Sequence, residues 1–258
     1  MQLPQNRFKR ALVEGRQQIG LWCSLPSAFA AEIVAPAGFD WLLFDTEHSP
    51  SSVPIVLSQL QAVAPYPVSP AVRAATNDPV LVKQLLDVGA QTLLLPYVQS
   101  AEEAHRAVLS MRYPPEGIRG VSGLTRATRF GRVEGYFRRA HEELCLVVQV
   151  ETREALDRLE EITAVDGVDG VFIGPADLAA SLGHPGDQGH PEVKEAVEDA
   201  IRRVRARGKP AGILTADPAF ARRCIEVGTT FTAVAIDIGL LARGAERVAA
   251  DFVTPTMR

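Results

Sequence analysis

The sequence has few cysteines, and this excludes several classes of protein. It contains three in 258 residues, Cys23, Cys145 and Cys224, and their wide spacing forms no CxxC pair. A disulfide framework and a cysteine-based metal or redox site are therefore excluded. We expect the three thiols to be structural residues of a cytoplasmic protein.

Excess charge and long apolar runs are also absent. The 27 basic and 31 acidic residues leave a formal net charge of −4, which does not suit binding to the phosphates of a nucleic acid. The longest apolar runs, such as residues 92–98, fall far short of the roughly 20 residues of a membrane helix. The first residues also lack the apolar core of a signal peptide. We expect neither nucleic acid nor a membrane as a partner.

What the chain does contain is an alternation of β-rich runs with segments of helical period. Runs such as WLLF, TLLLP, LVVQV and GVFIG are apolar throughout, which is typical of parallel strands buried on both faces. No linker or low-complexity segment interrupts them, so we predict one domain over residues 1–258. The eight predicted strands cover residues 19–24, 41–45, 68–73, 92–96, 145–150, 170–174, 211–215 and 232–236.

The helical segments indicate a repeated unit. Residues 78–89 and 217–228 both begin with Asp-Pro and end with Val-Gly, and residues 191–208 have proline in the first turn and glycine after the last. Eight β/α units in about 250 residues predict a TIM (β/α)8 barrel. An open doubly wound sheet is the alternative, and the absence of G-x-G-x-x-G after the first strand weakens its dinucleotide-binding form.

A TIM barrel places its active site at the carboxyl ends of the strands, where this chain carries a short set of polar residues. A charge or amide beside a buried strand is costly unless it is paired or binds a ligand. These residues are Asp45, Glu47, His48, Arg73, Gln149, Glu151, Asp177 and Asp237.

Glu151 and Asp177, from neighbouring strands, are the candidate metal ligands. Two carboxylates without a nearby Cys or His favour a hard oxygen site for Mg²⁺ or Mn²⁺, with Co²⁺ as a further candidate. The alternative is structural. Both residues precede predicted helices and could be N-caps or members of a salt-bridge network.

His48 and Arg73 supply the other chemistry at this end of the barrel. His48 is the one histidine of five at a strand end, and Asp45 or Glu47 could fix its tautomer for proton transfer. Arg73 could bind a carboxylate, stabilise an oxyanion, or pair with either acid. None of the four lysines lies there, which excludes a Schiff base. The set predicts removal of a proton beside a metal-bound carbonyl.

Two backbone features accompany these side chains. The turn Gly174-Pro175-Ala176-Asp177 leads from the sixth strand into a helix, so its amides could hold an anion such as a small carboxylate. The glycine-containing loop GIRGVSG at residues 117–123 could be either a flexible lid or a connection.

Five segments share one further pattern, in which EH, R, ETRE and GPADL follow in this order. They are GLWCSLPSAFAAEIVAPAGFDWLLFDTEHSP, QLLDVGAQTLLLPYVQSAEEA, RYPPEGIRGVSG, QVETREAL and GVDGVFIGPADLAASLG. Over nearly the whole chain this pattern resembles the HpcH/HpaI family of class II, pyruvate-dependent aldolases. The resemblance implies a TIM barrel in a homo-oligomer, a hexamer built as a trimer of dimers, with the C-terminal helix exchanged between subunits.

The resemblance also implies a role for each matched residue. Glu151 and Asp177 would bind a divalent metal that chelates pyruvate through its keto and carboxylate oxygens. Arg73 would stabilise the enolate oxygen, and His48, supported by Asp45, would act with a metal-bound water as acid/base on the aldehyde oxygen. The remaining matches are Gln149 beside the metal, Gly174, Pro175 and Ala176 at the pyruvate carboxylate, Trp22 and Leu214 at the aldehyde pocket, and Asp87 as a second-sphere residue at a subunit contact.

The implied activity is a divalent-metal-dependent, reversible aldol reaction between pyruvate, or hydroxypyruvate, and an aldehyde, through a metal-bound enolate. Residues 49–52 and Tyr97 depart from the family pattern, so the aldehyde is not specified. Another metal-enolate lyase, of the oxaloacetate decarboxylase or citramalyl-CoA type, is an alternative. A non-catalytic 2-oxo acid sensor is a further one.

Overall fold

The computed structural model describes residues 1–252, which form a closed barrel of eight parallel strands. Each strand pairs with the next, and the last pairs with the first. The strands are β1 Gln18–Cys23, β2 Trp41–Asp45, β3 Ser69–Arg73, β4 Thr92–Leu95, β5 Cys145–Val150, β6 Gly170–Ile173, β7 Ala211–Leu214 and β8 Phe231–Ile236. The predicted TIM barrel is confirmed, and all eight predicted strands match to within one residue at each end.

Helices surround the barrel. Asp78 and Asp217 each accept hydrogen bonds from two backbone N–H groups of the helix that follows, so the repeated Asp-Pro start is a helix N-cap in both places. In residues 1–252 the helices are α1 Arg7–Val13, α2 Ala28–Val34, α3 Val53–Ala62, α4 Pro79–Asp87, α5 Ala101–Met111, α6 Tyr136–Glu143, α7 Arg153–Asp157, α8 Leu159–Ala164, α9 Pro175–Ser181, α10 Pro191–Ala206, α11 Pro218–Val227 and α12 Asp237–Phe252.

The inside of the barrel is filled by aromatic side chains. Phe8 of α1 packs against Trp41 and Phe231, with ring centroids 5.4 and 5.7 Å apart, and so closes the end where the strands begin. Gly20 and Gly212 leave room for these rings, because a Cβ on either glycine would overlap Trp41 or Phe231. A second apolar cluster fills the space between strands and helices, which explains why the strands are apolar on both faces.

The three cysteines are buried free thiols, as the sequence predicted. Burial raises the pKa of each, that of Cys224 to about 12. Such thiols are poor nucleophiles and poor metal ligands. No helix among residues 1–252 is long and apolar enough to cross a membrane.

The loop GIRGVSG does not lie at the carboxyl ends of the strands. It follows α5, and the amides of Ile118 and Arg119 donate to the carbonyls of Leu109 and Arg112 at the end of that helix. Because α5 runs back towards the amino ends of the strands, its end lies at the face opposite the predicted site. The prediction that this loop is a lid over the site of the same chain is therefore wrong. The alternative, that the loop is a connection, agrees with the structure.

The close packing of aromatic rings against glycines inside the barrel leads to a first prediction. Gly212→Ala should destabilise the fold by about 1–3 kcal/mol, the usual cost of overpacking a filled core. Gly123→Ala is the matched control, because a Cβ there meets nothing within 4 Å. Urea denaturation checks both variants, and a Gly212→Ala protein as stable as the control would contradict the packing described here.

Candidate active site

The carboxyl ends of β2, β3, β5 and β6 bring charged and amide side chains to one mouth of the barrel. Asp45, Gln149 and Glu151 are 2% exposed and Arg73 is 6% exposed, so these groups are nearly withdrawn from water. Buried charges persist only where partners stabilise them. The contacts of each residue therefore define what the site can do.

Arg73 and Asp45 form a bidentate ion pair at the centre of the mouth. The Arg73 Nε donates to Asp45 Oδ1 at 2.8 Å and its second terminal nitrogen to Oδ2 at 2.6 Å. The two residues are register partners at the ends of β2 and β3. Trp22 supports both. Its Nε1 donates to Asp45 Oδ2 at 3.2 Å, and its ring lies 4.8 Å from the guanidinium carbon.

A second carboxylate, Glu47, holds the other side of the guanidinium. Its Oε2 lies 2.9 Å from a terminal nitrogen of Arg73, so Arg73 pairs with both acids that the sequence offered as alternatives. Burial raises the pKa of Asp45, but the hydrogen bonds and charge of Arg73 outweigh it and leave that pKa lowered. Burial also raises the pKa of Glu47, and here the charge of Arg73 opposes the rise without cancelling it.

Glu151 lies at the same mouth, and both of its carboxylate oxygens accept hydrogen bonds. Its Oε1 accepts from the backbone N–H of Tyr97 at 2.8 Å, and its Oε2 from the side-chain amide of Gln149. Burial raises the pKa of Glu151 to about 7, and the negative charge of Asp177 adds to the rise. The amide oxygen of Gln149 is buried and has no hydrogen-bond partner within residues 1–252.

Tyr97 contributes through its backbone, which the sequence did not predict. Its φ is 56°, in the left-handed region that few residues other than glycine adopt. Such a conformation costs about 1–3 kcal/mol and is retained where the surroundings impose it. Here it directs the amide of Tyr97 at Glu151. Nothing in the residue type signals this conformation.

The turn after β6 completes the site. Gly174 is the N-cap of α9, Pro175 follows it, and Ala176 and Asp177 are exposed in the first turn. A Cβ on Gly174 would lie 2.6 Å from Glu151 Oε2 and 3.1 Å from the Gln149 amide nitrogen, so only glycine allows this close approach.

The alternative that Glu151 and Asp177 are helix N-caps or members of a salt-bridge network is wrong. Asp177 lies inside α9 rather than capping it, and Thr152, not Glu151, caps α7. Neither carboxylate forms an ion pair with any of residues 1–252. Two carboxylates without a cationic partner, beside a buried unpartnered amide oxygen, fit a hard divalent cation.

His48 does not contact Asp45, whose oxygens are occupied by Arg73, Trp22 and the Glu47 amide. The expected support of His48 by Asp45 is therefore absent. The His48 side chain is exposed at the rim, where its charge, like that of Arg73, opposes the rise in the pKa of Glu47. Leu214 ends β7, packed against the barrel interior.

Comparison with known proteins identifies the family of this chain. The family model for HpcH/HpaI aldolase/citrate lyase matches residues 18–244. The chain belongs to this family. It is 69% identical to the pyruvate aldolase of Rhizobium etli, over 98% of this chain and 100% of that protein. It is 60% identical to the 4-hydroxy-2-oxo-heptane-1,7-dioate aldolase of Klebsiella pneumoniae, over 96% of this chain and 94% of that one.

The fold comparison agrees. The crystal structure of an HpcH/HpaI aldolase/citrate lyase family protein from Burkholderia cenocepacia superposes with a TM-score of 0.93 at 40% identity, covering 97% of this chain and 100% of the other. The protein is thus a carbon–carbon lyase of the aldolase type.

Two acidic residues of this HpcH/HpaI aldolase lie apart from the mouth chemistry. Asp87 ends α4 at the opposite face of the barrel, where it forms a 2.6 Å ion pair with the buried Arg119. Within one chain it is not in the active site. Asp237 accepts from the amides of Ser24 and Leu25 at 2.8 and 3.1 Å, and so ties α12 to the end of β1.

The raised pKa of Glu151 predicts how the stability of the metal-free aldolase depends on pH. Folding raises this pKa from 4.5 to about 7, so the folded protein binds the proton more tightly. The resulting stability is complete below pH ~4.5 and is lost as the pH rises towards 7. Urea denaturation in EDTA should show a smaller loss over this window in Glu151→Gln than in Glu116→Gln, an exposed control. Equal pH dependence would contradict the assignment.

Proposed function

We propose that this aldolase catalyses the divalent-metal-dependent, reversible aldol addition of pyruvate, or hydroxypyruvate, to an aldehyde. The observation that carries the proposal is that one mouth of the barrel holds both the Arg73 guanidinium, fixed by Asp45 and Glu47, and the acidic pair Glu151 and Asp177. The charge of Asp177 raises the pKa of both Glu47 and Glu151. A fixed cation beside a hard-oxygen donor set suits a reaction that develops negative charge on a ketone oxygen. The names of the two curated relatives support the same substrate class.

Glu151 and Asp177 would hold the metal ion, Mg²⁺ or Mn²⁺, and Gln149 would lie beside it. When bound, the ion polarises the carbonyl of the 2-oxo acid as a Lewis acid. Gly174 keeps the space beside Glu151 free of a side chain. The Tyr97 amide and Gln149 hold the Glu151 carboxylate in one orientation before the ion arrives.

The substrate carboxylate would bind at the amides of Ala176 and Asp177, in the first turn of α9. This would place C2 of the 2-oxo acid near Arg73. As His48, the histidine base of this mouth, takes a proton from C3, negative charge would move to the C2 oxygen, where the guanidinium would stabilise it. Because Asp45 and Glu47 already hold Arg73, little reorganisation is needed during the reaction.

His48 would act on the second substrate. In the addition direction C3 attacks the aldehyde carbon, the new carbon–carbon bond forms, and the aldehyde oxygen takes a proton at the rim, where His48 lies. In cleavage His48 would remove that proton. Trp22 and Leu214 would supply the apolar wall on the aldehyde side.

We further propose a homo-oligomer, a hexamer built as a trimer of dimers, in which α12 is exchanged between subunits. Asp237 is the only buried residue of α12, and the helix presents exposed apolar side chains. These are Ile238, Leu240, Leu241, Val248 and Phe252. Asp87 would lie at a subunit contact.

Three free thiols support a cytoplasmic location.

Exchange of the pyruvate methyl protons with deuterium tests the first half of the reaction without knowledge of the aldehyde. NMR should detect exchange with Mg²⁺ or Mn²⁺, and none after EDTA. Glu151→Gln should abolish it, while Glu116→Gln should retain it. No exchange with any 2-oxo acid by the folded, metal-loaded protein would contradict the proposal and favour a CoA-ester lyase or a sensor.

Arg73→Lys should lower the turnover number by a factor of about 10² to 10³, the usual cost of losing a placed donor to a developing oxyanion. Lysine keeps the charge but cannot make the bidentate contact. Arg203→Lys is the control, because Arg203 forms a similar bidentate pair with Glu160 on the outer helices. Equal activity of both variants would exclude Arg73 from the chemistry.

Placing a charged residue on the apolar face of α12 tests the proposed oligomer. Leu241→Glu should produce smaller species in light scattering, because a carboxylate cannot be buried unpaired in an apolar interface. Val13→Glu is the matched control; Val13 is 81% exposed and Leu241 63%. A wild-type mass of one chain, 27.9 kDa, would rule out the oligomer.

A further inference from the structure

A cluster of metal-ligating side chains lies outside the candidate active site, between α9 and α10. The imidazoles of His184 and His190 stack with their centroids 3.5 Å apart and their planes inclined by 16°. His184 Nε2 lies 2.9 Å from Glu192 Oε2. One nitrogen or carboxylate oxygen from each of the three residues lies within 4.8 Å of the other two.

Hydrogen bonds hold the backbone of these residues in place. The amide of His184 donates to the carbonyl of Ala179 at 2.8 Å, and that of His190 to Asp187 at 3.3 Å. His190 is also the N-cap of α10, and Glu192 lies in the first turn. The three side chains therefore come from a short loop and the first turn of the helix after it, and folding has already brought them together.

We propose that His184, His190 and Glu192 form a second cation site, selective for Zn²⁺ or a similar transition-metal ion. Two imidazoles and one carboxylate make up the protein ligands of open zinc sites, in which water takes the fourth position. Nitrogen ligands of this kind suit zinc, whereas Mg²⁺ prefers oxygen. The site thus differs in chemistry from the all-oxygen pair Glu151 and Asp177, and it does not rest on the proposed aldol reaction.

The two rings must rotate to hold an ion, because the nitrogen lone pairs of stacked imidazoles lie in nearly parallel planes and do not converge. Ligand atoms of a tetrahedral zinc site lie about 3.3 Å apart, given metal–ligand bonds of about 2.0–2.2 Å. The present separations, at most 4.8 Å, close to that value by rotation of partly exposed side chains. Binding would replace the contact of His184 with Glu192.

One charge in the cluster favours a bound cation and one beside it opposes it. Glu192 contributes one negative charge, and its Oε1 lies 3.3 Å from a terminal nitrogen of Arg153. That contact leaves Oε2, the atom beside His184, for a metal. Arg153 also repels a cation, so Arg153→Gln should tighten zinc binding.

Calorimetric titration of the full chain with Zn²⁺ in excess Mg²⁺ tests the site. Wild type should bind one Zn²⁺ per chain here. Because even residues that only support a metal ligand contribute about 10- to 100-fold in affinity, loss of a direct ligand should weaken binding at least about tenfold. The ligand variants are His184→Gln and His190→Asn; asparagine keeps an N-cap acceptor for α10. His105→Gln, at an exposed lone histidine on α5, should bind as wild type does.

A variant that lacks the candidate metal ligands of the active site separates the two cation sites. The double variant Glu151→Gln, Asp177→Asn should still bind one Zn²⁺, and adding His184→Gln should remove it. Loss of all zinc binding in the double variant would place the ion in the aldolase site and overturn the proposal, as would wild-type affinity in His184→Gln. Folding of His184→Gln is verified by a urea denaturation midpoint in EDTA equal to that of wild type.

Discussion

The ion pair between Arg73 and Asp45 connects the packing of the barrel to the chemistry at its mouth. Asp45 ends β2, Arg73 ends β3, and Trp22, which supports both, packs against Phe172 inside the barrel. Breaking a buried pair by removing one partner costs about 3–5 kcal/mol, because the other charge is left uncompensated. The contact that orients the guanidinium for catalysis therefore also stabilises the fold, and the two roles cannot be separated by deleting either side chain.

The acidic residues at the same mouth create a demand for positive charge that Arg73 alone does not meet. Glu47 and Arg73 are in contact, but the pKa of Glu47 is still raised. Glu151 is held by neutral donors only, Gln149 and the strained amide of Tyr97, and its pKa rises to about 7. A bound proton satisfies this demand in the metal-free protein. A divalent ion would satisfy it better, since it pairs Glu151 with Asp177 at once.

The strands could be predicted to within a residue because a strand buried on both faces must be apolar along its length, and its end is where polar residues resume. The same rule located Asp45, Arg73, Glu151 and Asp177 at one mouth. What could not be predicted depends on the backbone conformation of single residues and on the direction of the chain between elements. Tyr97 gives no sign of a left-handed φ, and residues 117–123 lie at the opposite face because α5 separates them from β4.

Two predictions about neighbouring residues are wrong, for different reasons. The resemblance to the family implies that Asp45 supports His48, but Arg73 of the next strand, which is distant in sequence, takes both carboxylate oxygens. The prediction that Asp177 precedes a helix is wrong because the helix begins at Pro175, and proline is well suited to the first turn. This second error is local, since the proline lies two residues before Asp177.

Binding of oxalate, a planar analogue of the pyruvate enolate, tests the central claim most directly. Analogues of a reaction's high-energy species bind more tightly than the substrate itself. Calorimetry should therefore show that oxalate binds the Mn²⁺-loaded protein more tightly than pyruvate does, and that it binds neither the EDTA-treated protein nor Asp177→Asn. Oxalate binding that is independent of metal, or no binding to the loaded protein, would contradict a metal-dependent enolate at this mouth.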